Sequence, residues 1–458
     1  MLHLDPAWRK VHLVGLGGAG MSAIARVLTQ AGVTVTGSDL RESAVLSSLR
    51  AMGVRADVGH RAHQAEGADV LIVSNAVAPG NPEVEAARAG ATPILWRGEA
   101  LARMVEGLRT VAVSGTHGKT TTSGMVATIL AHAGLDPTYL LGSDLAGRGS
   151  GGHLGGGDVA VVEADEAYRS FLWLRPSVSV VTNIDRDHVD HYDSWDSLKQ
   201  AFSTFMSRSS EAVIVCADDR RAMDVSRPLE TFTYGFHPDA GVRADGLESG
   251  AGGSDFRLFV EGRDEGVVHL QVTGRHNVQN ALGAAAACLK LGLTVPVVAA
   301  GLAAFGGVSR RFEYRGRLGD AHLVDDYAHH PAEIDATLAA ARWGPWKRVI
   351  AVFQPHLYSR TQALSREFGV ALSAADLIVV TDVYGAREQP VPGVTGKLIV
   401  ESICDAVPGR RVAYLPRLDE AARFLRSVVR ADDLILTLGA GDVTTLHDRL
   451  SGAPPEQW

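Results

Sequence analysis

A short apolar run that stops at a glycine turn and restarts as a helix occurs at the beginning of this chain and again further along, and that recurrence limits the fold more than any other feature. Val11-His12-Leu13-Val14 leads into Gly15-Leu16-Gly17-Gly18-Ala19-Gly20 and a helical pattern from about Met21 to Gln30. Thr110-Val111-Ala112-Val113-Ser114 leads into Gly115-Thr116-His117-Gly118-Lys119 and a helical pattern from Thr120 to about His132. Runs of this kind predict parallel strands buried on both faces, with helices packed across the sheet. Strand-like runs recur at Val33–Thr36, Val70–Ser74, Val159–Val162 and Val178–Val181, and after Arg310-Arg311-Phe312 at Ala321–Asp325, Val349–Phe353, Leu377–Thr381 and Leu434–Leu438. The reading is three α/β units in series, with boundaries near 107 and 309. A length of 458 residues suits it, at roughly 150 residues per domain. The glycine-rich stretch Gly142 to Gly157 is expected to form a mobile loop.

Composition narrows the function classes. A net charge of −8 would repel a nucleic-acid backbone, so no nucleic acid is expected as partner. Cys216, Cys288 and Cys404 are too few and too scattered for a disulfide framework or a CxxC metal site, which fits a reducing cytoplasm. Met1 to Pro6 lacks the basic segment and apolar run of a signal peptide. The stretch Val295 to Val308, broken by Gly301, Gly306 and Gly307, is too short to span a bilayer. A soluble protein with no membrane partner is expected.

Several clusters sit where strands should end, which is where ligands bind in such sheets. Gly15 to Gly20, with Asp39 closing the next strand, suits a pyrophosphate on a helix N-terminus and a ribose hydroxyl on the acid. The residues alone leave NAD, another nucleotide diphosphate or a plain tight turn open. The run Gly115-Thr116-His117-Gly118-Lys119-Thr120-Thr121 is sharper. Backbone N–H groups would cradle a triphosphate, Lys119 would neutralise the β and γ phosphates, and the Thr120 hydroxyl would ligate magnesium. Its spacing departs from the usual P-loop, since Val113 stands where the first glycine should be. Glu163-Ala164-Asp165-Glu166 is either a magnesium-binding cluster or an acidic helix cap. Asn183 to His191, with His188, is either metal-related or a solvated loop. Asp325-Asp326-Tyr327-Ala328-His329-His330-Pro331 and Gln354-Pro355-His356-Leu357-Tyr358-Ser359-Arg360 end strands of the third unit, each a ligand-facing cluster or only a turn, and Gly439-Ala440-Gly441-Asp442 ends the last strand as an anion site or a capped helix start.

Taken together and in order, these motifs, with Gly274-Arg275-His276-Asn277 and Arg310-Arg311-Phe312-Glu313, resemble the ATP-dependent Mur ligases of peptidoglycan synthesis, in their alanine-adding branch. The resemblance spans nearly the whole chain. His117 supports that branch, because the sister ligases usually carry Asn at this point. It implies an α/β architecture of three domains: a Rossmann-like UDP-sugar domain (1–106), a central P-loop ATPase-like domain (107–308) and a Rossmann-like C-terminal domain (309–458) that receives the amino acid. It further implies that Gly17, Gly18, Ala19, Gly20, Met21, Asp39 and Ser74 bind the UDP portion of UDP-N-acetylmuramate. ATP falls to Gly115, Thr116, His117, Gly118, Lys119, Thr120, Thr121 and Asn183, with His276, Asn277 and Asn280 near the adenine and Arg311 and Asp326 reaching in from the third domain. Mg2+ falls to Thr120, Glu163 and His188. Tyr327, His329, His356 and Arg360 are implied for the substrates, with an Arg suited to the L-alanine carboxylate, and Lys119, Glu163, His188 and His329 for catalysis.

Three departures bear on this. Tyr168 stands where the family often has Asp, Leu357 where many members have Arg, and the carbamylated lysine of some sister ligases has no counterpart in the helix expected over Leu198 to Met206. The implied reaction forms an acyl phosphate from the lactyl carboxylate and ATP, then an amide by attack of the L-alanine amine, with His329 or His188 as base. Closure of the domains around the acyl phosphate is expected, as is a monomer or weak dimer. Three other readings stand beside it: a ligase that recycles an intact peptide, a dehydrogenase using only the first motif, and a non-catalytic UDP-sugar sensor.

Overall fold

The computed structural model describes all residues except 1, 3, 148, 186–191, 193, 251, 387 and 452–458. His188, with most of the acidic and histidine-rich run around it, lies outside the described residues.

The chain forms three sheets. In the first, five parallel strands run in the order Arg55–Val58, Thr34–Asp39, Lys10–Val14, Val70–Val73, Ile94–Trp96. Val11, Leu13, Leu71 and Ile72 are sealed from solvent, as strands covered on both faces require. The helix Ala19–Gln30 starts directly at the glycine turn. The second sheet has ten strands. Its middle strand, Arg109–Ser114, lies between Val178–Val181 and Val159–Glu163, both parallel to it. The helix Lys119–His132 follows the loop, and every residue from Thr120 to Leu130 is buried, which explains why its pattern has no polar stripe. The third sheet runs Glu313–Leu318, Ala321–Asp326, Asp433–Leu438, Arg348–Phe353, Leu377–Val380, Val412–Tyr414, with only the first strand antiparallel.

These sheets fall into two compact units. One comprises Met1–Glu248, Asp255–Gln271 and Asn277–Val308; the other comprises Ser309–Trp458 with Ser249–Ser254 and Val272–His276. Within the first unit the glycine-rich stretch departs from the loose loop expected of it. Gly152–His153 is a short strand antiparallel to Thr138–Leu140. A Cβ on Gly152 would meet the Ala23 backbone, and one on Gly155 or Gly157 would meet the backbone of residues 135 to 137. These glycines permit close backbone packing rather than motion. The strands Val242–Gly250, Gly253–Val260 and Arg263–Leu270, which no sequence pattern marks as strands, extend one edge of the second sheet. Among the described residues no helix is long and apolar enough to cross a membrane; the Val295 stretch forms a helix only to Ala303.

Candidate functional site

Each sheet delivers its polar residues at the carboxyl ends of adjacent strands. In the first, Gly15 takes φ 84° and lies so close to Ser74 that a Cβ would come within 2.9 Å of that side chain. The N–H groups of Gly15 and Leu16 both donate to the Ser38 carbonyl, and Gly17 N–H donates to Asp39 Oδ2 at 2.8 Å. The next helix turn faces Arg97, whose Nη1 lies 2.5 Å from a Cβ built on Gly20. Gly17, Gly18, Ala19, Gly20, Asp39 and Ser74 are thus brought to one rim. Met21 points away into the core.

Arg97 connects this rim to the second sheet through an ion pair with Asp165 at 2.8 Å. Beside it, Asn75, Trp96, Gly98, Tyr168, Ser170 and Trp173 line a cavity of about 260 Å³. Tyr168 and Arg169 both sit in the left-handed region, at φ 55° and 56°, a costly conformation for two consecutive non-glycine residues.

The loop Gly115 to Gly118 occupies the end of the middle strand of the second sheet, so its neighbours are the residues that end the two flanking strands. From one side Glu163 accepts the Thr120 hydroxyl at 3.0 Å and the Gly142 N–H at 2.7 Å. From the other, Asn183 accepts from His117 N–H at 2.9 Å and donates to its carbonyl at 3.0 Å, while Thr182 Oγ1 donates to the same carbonyl. Thr116 Oγ1 accepts from Asp185 N–H. Gly118 takes φ 83°, and a Cβ there would fall 2.5 Å from Asn280 Oδ1. Asn280 therefore touches the loop. Asn277 is buried in the same helix.

Lys119 donates to the carbonyls of Gly115 and Thr116 and to Glu166, at 3.0 Å from Oε2. Burial alone would lower its pKa, but the nearby carboxylates of Glu166, Asp165 and Glu163 reverse this and hold it above the ordinary lysine value. Glu166 is 1% exposed. Sequence reasoning assigned it no role, although it sits three residues from Glu163 in the same acidic run. Thr120 and Glu163 form a hard oxygen pair beside the loop, a donor set that fits magnesium.

In the third sheet the ends of Ala321–Asp326, Asp433–Leu438 and Arg348–Phe353 meet. Asp326 is 5% exposed and accepts from the N–H groups of Ala328 and Phe312 at 2.7 and 2.8 Å. Burial raises its pKa to about 6 against the opposing pull of Arg311. Arg310 braces the glycine turn by donating to the Gly439 carbonyl and to Asp325. Tyr327 carries Arg310 and Arg311 over its ring and packs edge-on to His329. His329 in turn meets His356 edge-on at 5.7 Å, and Arg360 Nη1 lies 3.4 Å from His356 Nδ1. Four residues expected to receive substrate therefore form one cluster.

His329 Nδ1 bonds the Tyr327 carbonyl at 2.9 Å. A carbonyl can only accept, so Nδ1 carries the proton and Nε2 keeps its lone pair. Burial lowers this histidine to about 4, with Glu333 opposing, so the ring is neutral at pH 7 and a weaker base than an exposed imidazole. Glu333 also accepts from the N–H groups of His329 and His330 and pairs with Arg311 at 3.5 Å. It was not anticipated, yet His330-Pro331-Ala332-Glu333 has the spacing of a capping box, a readable signal. Burial likewise pushes His276, beside Arg311, down to about 4.

Known proteins resemble this chain from end to end. Residues 10–109 match the model of the Mur ligase family catalytic domain, 113–288 the Mur ligase middle domain, and 310–441 the Mur ligase glutamate ligase domain. The chain is 46% identical to the UDP-N-acetylmuramate–L-alanine ligase of Kineococcus radiotolerans, covering 95% of this chain and 94% of that one. It is 43% identical to the ligase of that name from an Anaeromyxobacter species, over 97% of each. Among solved structures, the UDP-N-acetylmuramate–alanine ligase of Thermotoga maritima matches with a TM-score of 0.84 at 30% identity, covering 97% of this chain and 98% of that one. A murein peptide ligase from Psychrobacter arcticus matches with a TM-score of 0.72 at 25% identity, over 97% and 98%. With family models over all three sheets and such relatives over almost its full length, this chain belongs to the Mur ligase family.

Proposed function

We propose that this protein joins L-alanine to the lactyl carboxylate of UDP-N-acetylmuramate at the expense of ATP, releasing ADP and phosphate. The observation that carries the reading is the meeting of Lys119, Thr120 and Glu163 at the ends of adjacent parallel strands, where a triphosphate needs them. The relatives at 42 to 46% identity bear the name of the alanine ligase, which favours it over peptide recycling.

In the first step the carboxylate attacks the γ-phosphate, giving an acyl phosphate and ADP. The protein contributes placement and charge: loop N–H groups and Lys119 hold the triphosphate. Thr120 and Glu163, with His188, would hold a magnesium ion, which when bound supplies further neutralisation of the phosphates. The UDP portion sits on Gly17 to Gly20, with Asp39 and Ser74, and Met21 backs this turn from the core. In the second step the alanine amine attacks the acyl carbon and phosphate leaves. His329 Nε2 is the base that takes the amine proton, on the strength of its tautomer, and Arg360 anchors the alanine carboxylate beside His356 and Tyr327. His276, Asn277, Asn280, Arg311 and Asp326 serve the nucleotide. These roles accompany a division into domains at 1–106, 107–308 and 309–458. We place the protein in the cytoplasm, as a monomer or weak dimer.

The test is phosphate release from ATP and magnesium with UDP-N-acetylmuramate, with and without L-alanine, and mass spectrometry of the product. Alanine-dependent phosphate and a UDP-N-acetylmuramoyl-alanine mass are expected, and both are lost in Lys119→Ala. Turnover with a tripeptide but not with L-alanine would move the protein to the recycling reaction. Wild-type turnover by Lys119→Ala would end the account.

A further inference from the structure

Lys119 has three N–H groups, and the fold has already given each of them an acceptor: the Gly115 and Thr116 carbonyls and the Glu166 carboxylate. Glu166 is held in turn. It is buried, its carbonyl accepts the Tyr192 hydroxyl at 2.7 Å, and the same carbonyl accepts from Arg169 N–H. Both Glu166 oxygens lie within 3.2 Å of the ammonium. An arriving γ-phosphate therefore does not meet an unengaged cation; it must exchange places with a carboxylate on that cation.

We propose that Glu166 is a positioning residue and a latch: it aims the Lys119 ammonium across the mouth of the phosphate loop and yields it to the triphosphate. The inference rests on the ATP-dependent reading above. Because a negative group competes with the phosphates, the latch weakens ATP binding. Because the same group holds the ammonium at the loop mouth until the triphosphate takes it, it delivers that ammonium to the γ-phosphate in the position phosphoryl transfer needs. The two effects separate in kinetics, which a merely structural role does not allow.

The experiment uses the full chain with Glu166→Gln, Glu166→Asp and Tyr192→Phe. It measures KM for ATP and kcat, and calorimetric binding of a non-hydrolysable ATP analogue. In Glu166→Gln the KM and the analogue Kd are expected to fall by about tenfold while kcat also falls, a modest share of the Coulomb interaction since one ion pair is exchanged for another. Glu166→Asp keeps the charge but shortens the arm, so KM stays near wild type and kcat drops. Tyr192→Phe loosens the Glu166 backbone and moves KM in the same direction as Glu166→Gln by a smaller factor; it carries the test if Glu166→Gln does not fold. A KM and Kd that rise or stay put in the folded charge-removal variant, with wild type binding the analogue normally, overturn the latch alone. Wild type that binds no analogue overturns the ATP reading and the latch with it.

Discussion

The first glycine loop rests on a buried carboxylate, and removing that carboxylate tests how the loop is held. Glu83 is 0% exposed and accepts from three side chains: His12 Nε2 at 2.6 Å, Ser38 Oγ at 2.8 Å and His60 Nδ1 at 2.8 Å. His12 is itself 1% exposed. Ser38 is also the residue whose carbonyl receives the N–H groups of Gly15 and Leu16. Glu83→Ala strands buried donors on two strands and one loop. Leaving buried donors without their acceptor costs about 1–3 kcal/mol each, about 3–5 kcal/mol in all, which at about 2–4 °C per kcal/mol lowers the first unit's thermal transition by about 10 °C. Glu83→Gln keeps the volume and part of the hydrogen bonding, so it should lose less. The pH dependence has a definite sign. Burial alone would raise the Glu83 carboxyl, but the bonds from His12, Ser38 and His60 outweigh it and hold the carboxyl below its ordinary value. Its stabilisation is then complete above pH ~4.5 and disappears as pH falls through the lowered folded value. Calorimetric scans of wild type and both variants, together with KM for UDP-N-acetylmuramate, provide the check. A loss below about 1 kcal/mol for Glu83→Ala, with that KM unchanged, would mean the glycine loop is not held through Glu83.

Gly118→Ala should cost ATP affinity with little loss of fold, because φ 83° strains an alanine and its Cβ would strike Asn280 at 2.5 Å; equilibrium binding of an ATP analogue should weaken at least tenfold, about 1.4 kcal/mol, and unchanged affinity would mean the loop relaxes freely. In the second unit, His447 is buried, donates from Nε2 to Thr437 Oγ1 at 2.7 Å, and is pushed by burial to about 4 despite Asp325 nearby. The unfolded chain thus binds a proton below about pH 6.5 that the fold refuses until about pH 4. Stability should fall by roughly 3 kcal/mol as pH drops through that window, and urea midpoints of His447→Leu should show a shallower slope than wild type; identical slopes would remove His447 as the cause.

How much of this was readable depends on which force each element answers to. Buried parallel strands write themselves as unbroken runs: Val178–Val181 was placed to the residue, and Val159 to Val162 missed only Glu163, which the sheet still pairs. The strands from Val242 to Leu270 were not legible, because their outer positions are exposed Asp, Glu and Arg and their runs are interrupted by Gly246 and Gly266. The candidate site divides in the same way. Lys119, Thr120 and Glu163 are singled out by the sequence, and the structure brings them together at the ends of adjacent strands. The pairing of Lys119 with Glu166 and of Arg97 with Asp165 depends on which strands are neighbours, a tertiary fact that no local spacing contains. The glycines from 151 to 157 misled for a related reason: a glycine that frees a loop and a glycine that lets two backbones touch look alike until the second backbone is known.

The charges around the phosphate loop explain why so many of them are present. Lys119 and Arg97 contribute two positive charges, and Glu163, Asp165 and Glu166 three negative ones, so these five sum to −1. A loop meant only to attract a polyanion would not carry that sign. A loop that accepts a polyanion together with a divalent cation, as proposed above, would carry it, since the acids would then have a counter-charge. Each carboxylate has a different structural commitment. Asp165 is spent on Arg97 beneath the first glycine loop, Glu166 on Lys119, and Glu163 on a hydroxyl and an N–H that a metal ion could share. Glu163 is the member whose present partners are both neutral, which makes it the one able to turn to a cation without leaving an ammonium or guanidinium uncompensated.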